Sequence, residues 1–294
     1  MSALAVEPPV ESPRSLDEAY EQLASSPPAR AIAGGTDAMV QLAGEIGEPP
    51  ARFVDLWRLD ELRGIVLEPR ALSIGALTTY TELRRSALAG EVAPALVEAA
   101  ATIGAAQIQN RGTIGGNLGN ASPAGDTLPV LLALDAEVIA GSVRGERPIP
   151  IVSFFRGYRQ TALEPDELIL RVRLPIVPGR ESRFRKVGTR RAQAISKVVL
   201  AIAWLTDGPT GVPGGGPWRS VRVALGSVAP TPIRVSEAEA ALESSAPTPE
   251  AADRAAEALA AAIHPIDDVR STAEYRRLVA ARVLHRLVRD VGGW

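Results

Sequence analysis

Short apolar runs alternate with short helical patterns along the first part of the chain. Three apolar runs have the length of strands, at residues 31–33, 53–56 and 72–75. Helices are predicted where apolar positions recur at helical spacing, at residues 38–42, 92–106 and 128–134. A capping box at residues 15–18 begins a further helix that ends at Leu23. The pattern predicts a region that mixes short strands with short helices.

A different pattern begins after residues 175–181, a segment that contains both proline and glycine. The next apolar runs are predicted strands, at residues 184–187, 198–205 and 221–225. The middle run is continuously apolar, which indicates a buried strand. Residues 207–217 contain five glycines and three prolines and predict a hairpin loop.

Helices are predicted to complete the second part of the chain. Capping-box patterns at residues 236–239 and 271–274 begin two of them. The last helix places apolar side chains near one face, at Tyr275, Leu278, Val279, Val283 and Leu287. We place a domain boundary near residues 177–180. The predicted domains are residues 1–178, with subdomains of about 1–57 and 58–178, and residues 179–294.

The composition is that of an ordinary globular protein. The chain has 294 residues, of which 46% are hydrophobic and 22% are charged, and its net charge is −2. Since the basic residues are not concentrated on one face, a nucleic-acid partner is not expected. No run approaches the roughly 18 apolar residues of a membrane span, and residues 1–14 lack the features of a signal peptide. We therefore expect a cytoplasmic protein.

The absence of cysteine restricts the chemistry of the chain most strongly. There are no cysteines and two histidines, His264 and His285. Disulfides, thiolate-bound iron–sulfur clusters and reactive thiols are therefore excluded, and a zinc site would need carboxylates for nearly all its ligands. Neither histidine has a partner for catalysis nearby in sequence, so both are assigned structural roles. Any redox chemistry must belong to a bound organic cofactor, with no metal ligands and no catalytic side chains beyond that cofactor.

The common nucleotide-binding motifs are absent. The chain contains neither G-x-x-x-x-G-K-[ST] nor a G-x-G-x-x-G after a strand, which removes the main support for P-loop and Rossmann folds. A first glycine segment occupies residues 33–37, with the sequence Ala-Gly-Gly-Thr-Asp. Its amides and the Thr36 hydroxyl could bind an anion at a helix N-terminus. The alternative is a tight strand-to-helix turn with Asp37 as its N-cap.

A second glycine segment, at residues 110–126, is more distinctive. It follows a predicted helix and reads as a loop rich in glycine and asparagine. Its polar side chains could satisfy a diphosphate and a sugar chain, and they belong to Thr113, Asn117, Asn120 and Ser122. Asp126 could accept hydrogen bonds from sugar hydroxyls. The alternative is a long surface loop, but long loops without secondary structure are uncommon in compact domains.

The two glycine segments together resemble a known family. Residues 33–37 and 113–126, with 74–80 and 185–191, are similar to the medium, flavoprotein subunit of the xanthine dehydrogenase and carbon monoxide dehydrogenase family of molybdenum hydroxylases. The resemblance covers nearly the whole chain. It implies an α+β fold with two FAD-binding subdomains of the vanillyl-alcohol oxidase and molybdenum-hydroxylase flavoprotein type. A C-terminal three-stranded antiparallel sheet with helices would follow.

The resemblance also implies which residues contact FAD. The first segment contributes Ile32, Ala33, Gly34, Gly35, Thr36, Asp37 and Ala38. The second contributes Thr113, Ile114, Gly115, Gly116, Asn117, Gly119, Asn120, Ser122 and Asp126. Ile103 and Gly104 match backbone positions that line the cofactor, and Lys197 matches a flavin-contacting lysine; without the resemblance, Lys197 would be read as a solvated charge. Gly119 matches a position near the isoalloxazine where relatives often carry a larger side chain, so that face of the flavin would be more open; the alternative is a glycine that the turn requires.

The function that the resemblance implies is electron transfer within a larger complex. A large subunit with a molybdenum cofactor would oxidise the substrate, and a small subunit with 2Fe–2S clusters would deliver electrons to this chain. NAD or another acceptor would then take them. A dimer of heterotrimers is expected. Two alternatives stay open: a stand-alone FAD-dependent oxidase, and a non-catalytic FAD-binding assembly protein.

Overall fold

The computed structural model describes residues 8–42, 50–190, 193–206 and 215–294. Its α-helices are α1 Leu16–Ala24, α2 Thr36–Leu42, α3 Tyr80–Arg85, α4 Ala87–Val92, α5 Pro94–Ala101, α6 Ala106–Arg111, α7 Ile114–Asn120, α8 Leu128–Ala133, α9 Ser236–Leu242, α10 Pro249–Ala262 and α11 Ala273–Gly292. Its strands are β1 Val10–Glu11, β2 Ala29–Ile32, β3 Arg52–Asp55, β4 Ile65–Leu67, β5 Ala71–Gly75, β6 Glu137–Ser142, β7 Gly145–Pro150, β8 Phe155–Gly157, β9 Gln160–Thr161, β10 Leu168–Pro175, β11 Glu181–Val187, β12 Val198–Thr206, β13 Trp218–Gly226 and β14 Ile233–Arg234.

A small parallel sheet carries the first glycine segment. Its strand order is β1-β3-β2, and β3 pairs in parallel with both neighbours. The predicted helix cap is present, because Ser15 Oγ accepts a hydrogen bond from the Glu18 amide at 3.2 Å. The buried Arg52 guanidinium donates to the carbonyls of Gln22, Ser25 and Pro27. This side chain therefore fixes α1 and the segment after it against the sheet.

A five-stranded antiparallel sheet forms the centre of the first part of the chain. The strand order is β4-β5-β10-β6-β7, so β5 and β6 are joined through a strand that comes much later in sequence. The helices α3–α8 lie between β5 and β6 in sequence, and their apolar residues share one core with this sheet. That core includes Ile114 and Leu118 of α7, which anchor the second glycine segment.

The C-terminal sheet confirms the three predicted strands and adds a fourth. Strands β11, β12 and β13 pair antiparallel in that order, and the two-residue β14 extends the edge. Helices α9–α11 cover one face, where Trp204 and Trp218 stack with ring centroids 4.5 Å apart. The other face joins the first core, because Phe184, Val199 and Ala201 belong to the same cluster as α7 and α8.

Several local predictions differ from the structure. The predicted helix at 92–106 is divided: α4 ends at Val92, Pro94 begins α5, and α6 follows after Gly104, whose φ is +51°. The predicted loop at 110–126 contains α7, because Thr113 is the N-cap of a helix and its side chain accepts a hydrogen bond from the Gly116 amide. Near residue 236 no side chain caps α9, and the cap of α11 is Thr272. Most of the predicted hairpin loop, residues 207–214, lies outside the described residues, as does Arg191.

Ion pairs connect the two parts of the chain. Asp135, at the end of α8, accepts hydrogen bonds from Arg222 of β13 and Arg234 of β14. Arg180 donates to the carbonyl of Leu134 at 3.1 Å. Within the described ranges, no helix is long and apolar enough to cross a membrane.

Candidate functional site

The first glycine segment forms the turn between β2 and α2, as predicted. Gly35 has a φ of +79°, a left-handed conformation that favours glycine. A Cβ on Gly34 would lie 1.7 Å from the carbonyl oxygen of Arg111, at the end of α6. Only a residue without a side chain allows this contact between the first turn and the segment that leads to the second.

The second glycine segment packs through α7. A Cβ on Gly115 would lie 2.6 Å from the Cβ of Ala76. A Cβ on Gly116 would lie 3.8 Å from the Cβ of Ala33, so the two glycine segments are in contact. Arg111 Nε also donates to the Gly34 carbonyl at 3.3 Å. The two glycine segments therefore lie against each other in the structure.

The amides of the second segment are already used within the protein. The amides of residues 114 and 115 donate to the carbonyls of Thr78 at 3.1 Å and Ala76 at 2.9 Å. The amides of residues 116 and 117 donate to Thr113, at 3.0 Å to its Oγ1 and at 3.0 Å to its carbonyl oxygen. These bonds fix the start of α7. The second segment is therefore left with its glycine surfaces and side chains to contact a ligand. Its amides could bind an anion only if each N–H donated to the anion and to its present acceptor at once.

Asp126 is the buried carboxylate of the site. Its Oδ2 accepts a hydrogen bond from Lys186 Nζ at 2.5 Å, and Lys186 also donates to the Thr102 carbonyl at 3.1 Å. Burial raises the pKa of Asp126 to about 6, against the opposing effects of Lys186 and Ser196. Its Oδ1 is buried without a hydrogen-bond partner among the described residues. A buried acceptor left without a donor is costly and marks a place for a ligand's donor.

Asp37 lies at the edge of this site beside the end of α7. It is exposed to solvent, and the surrounding protein still desolvates its carboxyl enough to raise the pKa. The nearby Arg159, by its charge, and Asn120 lower the pKa and so oppose that shift. Because the carboxyl is exposed, solvent moderates the effect. Arg159 donates to Asn120 Oδ1 at 2.5 Å, and this arginine was not predicted as a site residue.

The remaining predicted residues of the second segment line the same region. Asn117 Oδ1 accepts from Thr127 Oγ1 at 2.6 Å, and Ser122 Oγ accepts from the Ala124 amide at 3.3 Å. Their side chains are thus partly committed to the protein. Gly119 is exposed, and a Cβ there would meet only the Ile169 side chain, at 3.9 Å.

Ile103 and Gly104 follow Thr102, whose carbonyl accepts the hydrogen bond from Lys186. The Ile103 carbonyl itself accepts from Gln109 Nε2 at 2.9 Å. The left-handed Gly104 places its Cα against Ile108, so a side chain there would clash. Both residues therefore lie next to the Lys186–Asp126 pair.

Lys197 lies just before β12. Its Nζ lies 5.0 Å from the centroid of the Tyr275 ring on α11. Its predicted contact with the flavin stays a prediction. A second lysine, Lys186 of β11, reaches Asp126. Sequence reasoning could have considered it, because it lies in the segment 185–191 that carried the family resemblance. Nothing in the sequence indicated that Lys186 pairs with Asp126.

The assembled site fits a dinucleotide cofactor better than a metal ion. Two glycine segments approach each other without intervening side chains, and one buried carboxylate oxygen lacks a donor. Polar side chains, at Thr36, Asn120 and Ser122, surround this region. Among the residues that the structure describes, no group of three histidine, aspartate or glutamate side chains could hold a metal.

Two family descriptions together match nearly the whole chain. Residues 5–177 match the FAD binding domain in molybdopterin dehydrogenase. Residues 183–291 match the CO dehydrogenase flavoprotein C-terminal domain. These matches include both glycine segments, Asp126 and the strand that carries Lys186.

Individual relatives agree with these matches. The chain is 32% identical over 286 residues to the xanthine dehydrogenase FAD-binding subunit of Escherichia coli O157:H7, which covers 95% of each protein. It is 35% identical over 235 residues to the nicotinate dehydrogenase FAD-subunit of Eubacterium barkeri, covering 78% of this chain and 77% of that protein. A solved carbon monoxide dehydrogenase from Hydrogenophaga pseudoflava matches with a TM-score of 0.88 and 31% identity over 96% of both chains. The chain therefore belongs to the medium, FAD-binding subunits of the molybdenum hydroxylase family, as an oxidoreductase subunit whose cofactor is FAD.

Proposed function

We propose that this chain relays electrons from a 2Fe–2S subunit to NAD or another acceptor within a cytoplasmic molybdenum hydroxylase. Bound FAD would supply the conversion between one-electron and two-electron transfer. The partners are a large subunit with a molybdenum cofactor and a small 2Fe–2S subunit, assembled as a dimer of heterotrimers. The proposal is supported by the membership of the family and by the lack of cysteine, which leaves FAD as the redox group of this chain.

The residues proposed to hold FAD are those of the two glycine segments, with Asp126 and Lys186. The observation that carries this assignment is the buried Asp126 Oδ1 beside the two touching segments, for which the residues that the structure describes supply no hydrogen-bond donor. Above its pKa of about 6, Asp126 is a carboxylate and offers Oδ1 only as an acceptor. Lys186 holds Oδ2 and so fixes the direction in which Oδ1 faces.

The predicted domain division at residues 178 and 179 remains part of this proposal. Residues 1–178 would carry the diphosphate-binding turns, and residues 179–294 would supply Lys186. Because Lys186 pairs with Asp126 across this division, the two domains would need to dock before the site is complete. The substrate lies outside this proposal, because the similar subunits come from dehydrogenases of xanthine, nicotinate and carbon monoxide.

The test is purification of the native complex and of the isolated chain. We expect the complex to contain FAD, molybdenum and iron, and the isolated chain to bind FAD without oxidising substrates. Asp126→Asn should lower the FAD content of the isolated chain at least about tenfold, because it replaces an acceptor by a mixed donor and acceptor. Asp60→Asn, which changes an exposed carboxylate, is the matched control.

Two outcomes would favour the alternatives. Substrate turnover by the isolated chain, with reduction of its own FAD, would indicate a stand-alone oxidase. An isolated chain that is colourless and takes up no added FAD would indicate an assembly protein. Either result contradicts the proposed electron relay.

A further inference from the structure

The hairpin of β8 and β9 reaches the FAD site through one arginine. Arg159 lies at the turn of this hairpin with a φ of +54°, a left-handed conformation that is unfavourable for a residue with a Cβ. Glycine would adopt this conformation without strain. A strained arginine at a turn therefore points to a role for its guanidinium group.

The contacts of the guanidinium identify that role. Arg159 donates to Asn120 Oδ1 at 2.5 Å, whereas its contacts with the neighbouring Tyr158 are longer, at 3.5 Å to the hydroxyl and 5.8 Å to the ring centroid. Asn120 is the last residue of α7, in the second glycine segment. This short polar contact thus connects the hairpin to the site.

Arg159 and Asn120 also lie close to the first glycine segment. Because its Oδ1 accepts from Arg159, its Nδ2 group is the one that remains to donate. The Asp37 carboxyl of the first segment lies close enough for Arg159 and Asn120 to lower its pKa against the effect of burial. Arg159 is therefore hydrogen-bonded to the second segment and acts electrostatically on the first.

Electrostatics gives Arg159 a further effect on an anionic ligand. An ionised Asp37 beside a diphosphate would repel it, and Arg159 supplies the compensating positive charge. Tyr80 of α3 also faces Asp37, but its phenol is buried and neutral and adds no charge. Without Arg159, the first segment would keep a carboxylate with no cation acting on it from the hairpin.

We propose that Arg159 is a positioning residue for FAD, which holds Asn120 at the end of α7 in the second glycine segment and offsets the charge of Asp37 in the first. The inference rests on the proposed function, because it assumes that FAD binds between these segments. Arg159 does not need to touch the cofactor for this role.

The experiment measures FAD affinity in apoprotein prepared from the purified full chain. Arg159→Met should weaken FAD binding at least about tenfold, the effect of losing a hydrogen bond from a charged donor. Arg159→Gly should weaken it equally although it relieves the backbone strain, and it should leave the Tm of the apoprotein unchanged or raised. Arg159→Lys should stay within about threefold of the wild type, because an ammonium group still donates and keeps the charge.

Two controls separate positioning from general stability. Arg156→Met changes an exposed arginine on the same hairpin and should leave the FAD affinity at the wild-type value. In combination with Asn120→Ala, Arg159→Met should add nothing to the larger of the two single effects, because both changes remove the same hydrogen bond.

Three results would overturn the inference. The first is wild-type affinity in both Arg159→Met and Arg159→Gly, and the second is full additivity with Asn120→Ala. The third is a wild-type apoprotein that takes up no FAD, which would overturn the proposed function as well. Equal affinities of the wild type and the variants would overturn only the role of Arg159.

Discussion

The two glycine segments touch each other, yet they need glycine for different physical reasons. In the first segment, Gly35 supplies a left-handed backbone and Gly34 allows a carbonyl oxygen to approach its Cα. In the second segment, Gly115 and Gly116 are helical positions in α7, and Gly115 packs against Ala76. A Cβ on Gly119, in the same helix, would make only ordinary van der Waals contact with Ile169, at 3.9 Å. Glycines that look equivalent in the sequence therefore have very different tolerance for a side chain.

The glycines of the second segment serve packing more than anion binding. A glycine-rich segment suggests free amides around an anion, but the amides of residues 114–117 already donate to protein oxygens. In the second segment, glycine serves mainly to bring α7 against β5 and the first turn. The polar specificity then depends on side chains, among which Asp126 and Lys186 form a buried ion pair.

The largest effect is expected for Gly34→Ala. The new Cβ would lie 1.7 Å from the Arg111 carbonyl oxygen. Neither atom can move without its backbone, so the two segments must move apart. We expect a loss of about 3 kcal/mol in the free energy of unfolding and a loss of bound FAD. Urea unfolding and the flavin spectrum of the purified chain measure both. A variant with wild-type stability would show that the segments do not touch in solution.

Asp126 is expected to give the apoprotein a distinctive pH dependence. Its pKa is about 6 in the folded chain, above the ordinary value of 3.8, so the folded state holds a proton that the unfolded state releases between these values. The stability from this group is complete below pH 4 and is lost as the pH rises through 6, by about 3 kcal/mol at most. Urea unfolding at several pH values should show this decrease.

Asp126→Asn provides the comparison for that decrease, because the amide does not titrate. The difference between wild type and variant should change between pH 4 and 6 and be constant above 7. The exposed Asp60→Asn serves as the control. If the stabilities of the wild type and Asp126→Asn change in parallel over this pH range, the Asp126 carboxyl is not buried as the structure shows.

Gly115→Ala tests the second segment at the point where it is most tightly packed. A Cβ would lie 2.6 Å from the Ala76 Cβ and 2.8 Å from the Ala76 carbonyl oxygen, so we expect a loss of about 2 kcal/mol. Ala76→Gly should recover part of this loss in the double variant, since it removes the nearest atom. Denaturant unfolding of all four proteins forms a double-mutant cycle. Purely additive losses would contradict the packing of α7 on this residue.

The smallest effect is expected for Gly119→Ala, and it should be favourable. Its Cβ would meet nothing closer than 3.9 Å, and alanine is preferred over glycine in a helix by about 0.5–1 kcal/mol. We expect a slightly raised Tm and full retention of FAD. A destabilised variant would mean that Gly119, like Gly34, is required by close packing.

The sequence predicted much of the local structure. The strand, turn and helix around residues 31–42 follow from an apolar run, two glycines and a helical pattern, and the three long C-terminal strands follow from their apolar runs. Prediction was less successful at helix ends. Glu239, which suggested a cap, instead accepts from the Val223 amide and pairs with Arg234, contacts that exist only after β13, β14 and α9 have packed together.

The candidate site divides in the same way. The glycine segments were visible in the sequence because glycine runs are locally unusual, and their family resemblance predicted FAD. The positions of Lys186 and Arg159 were not visible, because they lie 60 and 39 residues from the side chains that they contact. A charged residue on a strand or hairpin has no local pattern that reveals its distant partner.

The sequence by itself determined the elements that carry the two glycine segments, because these depend on local composition and spacing, and its resemblance to a family predicted the cofactor. Only the tertiary structure decided which glycines are indispensable and which lysine pairs with Asp126. Those properties depend on atoms that are far apart along the chain and are brought within a few ångströms by the packing of the two sheets and α7.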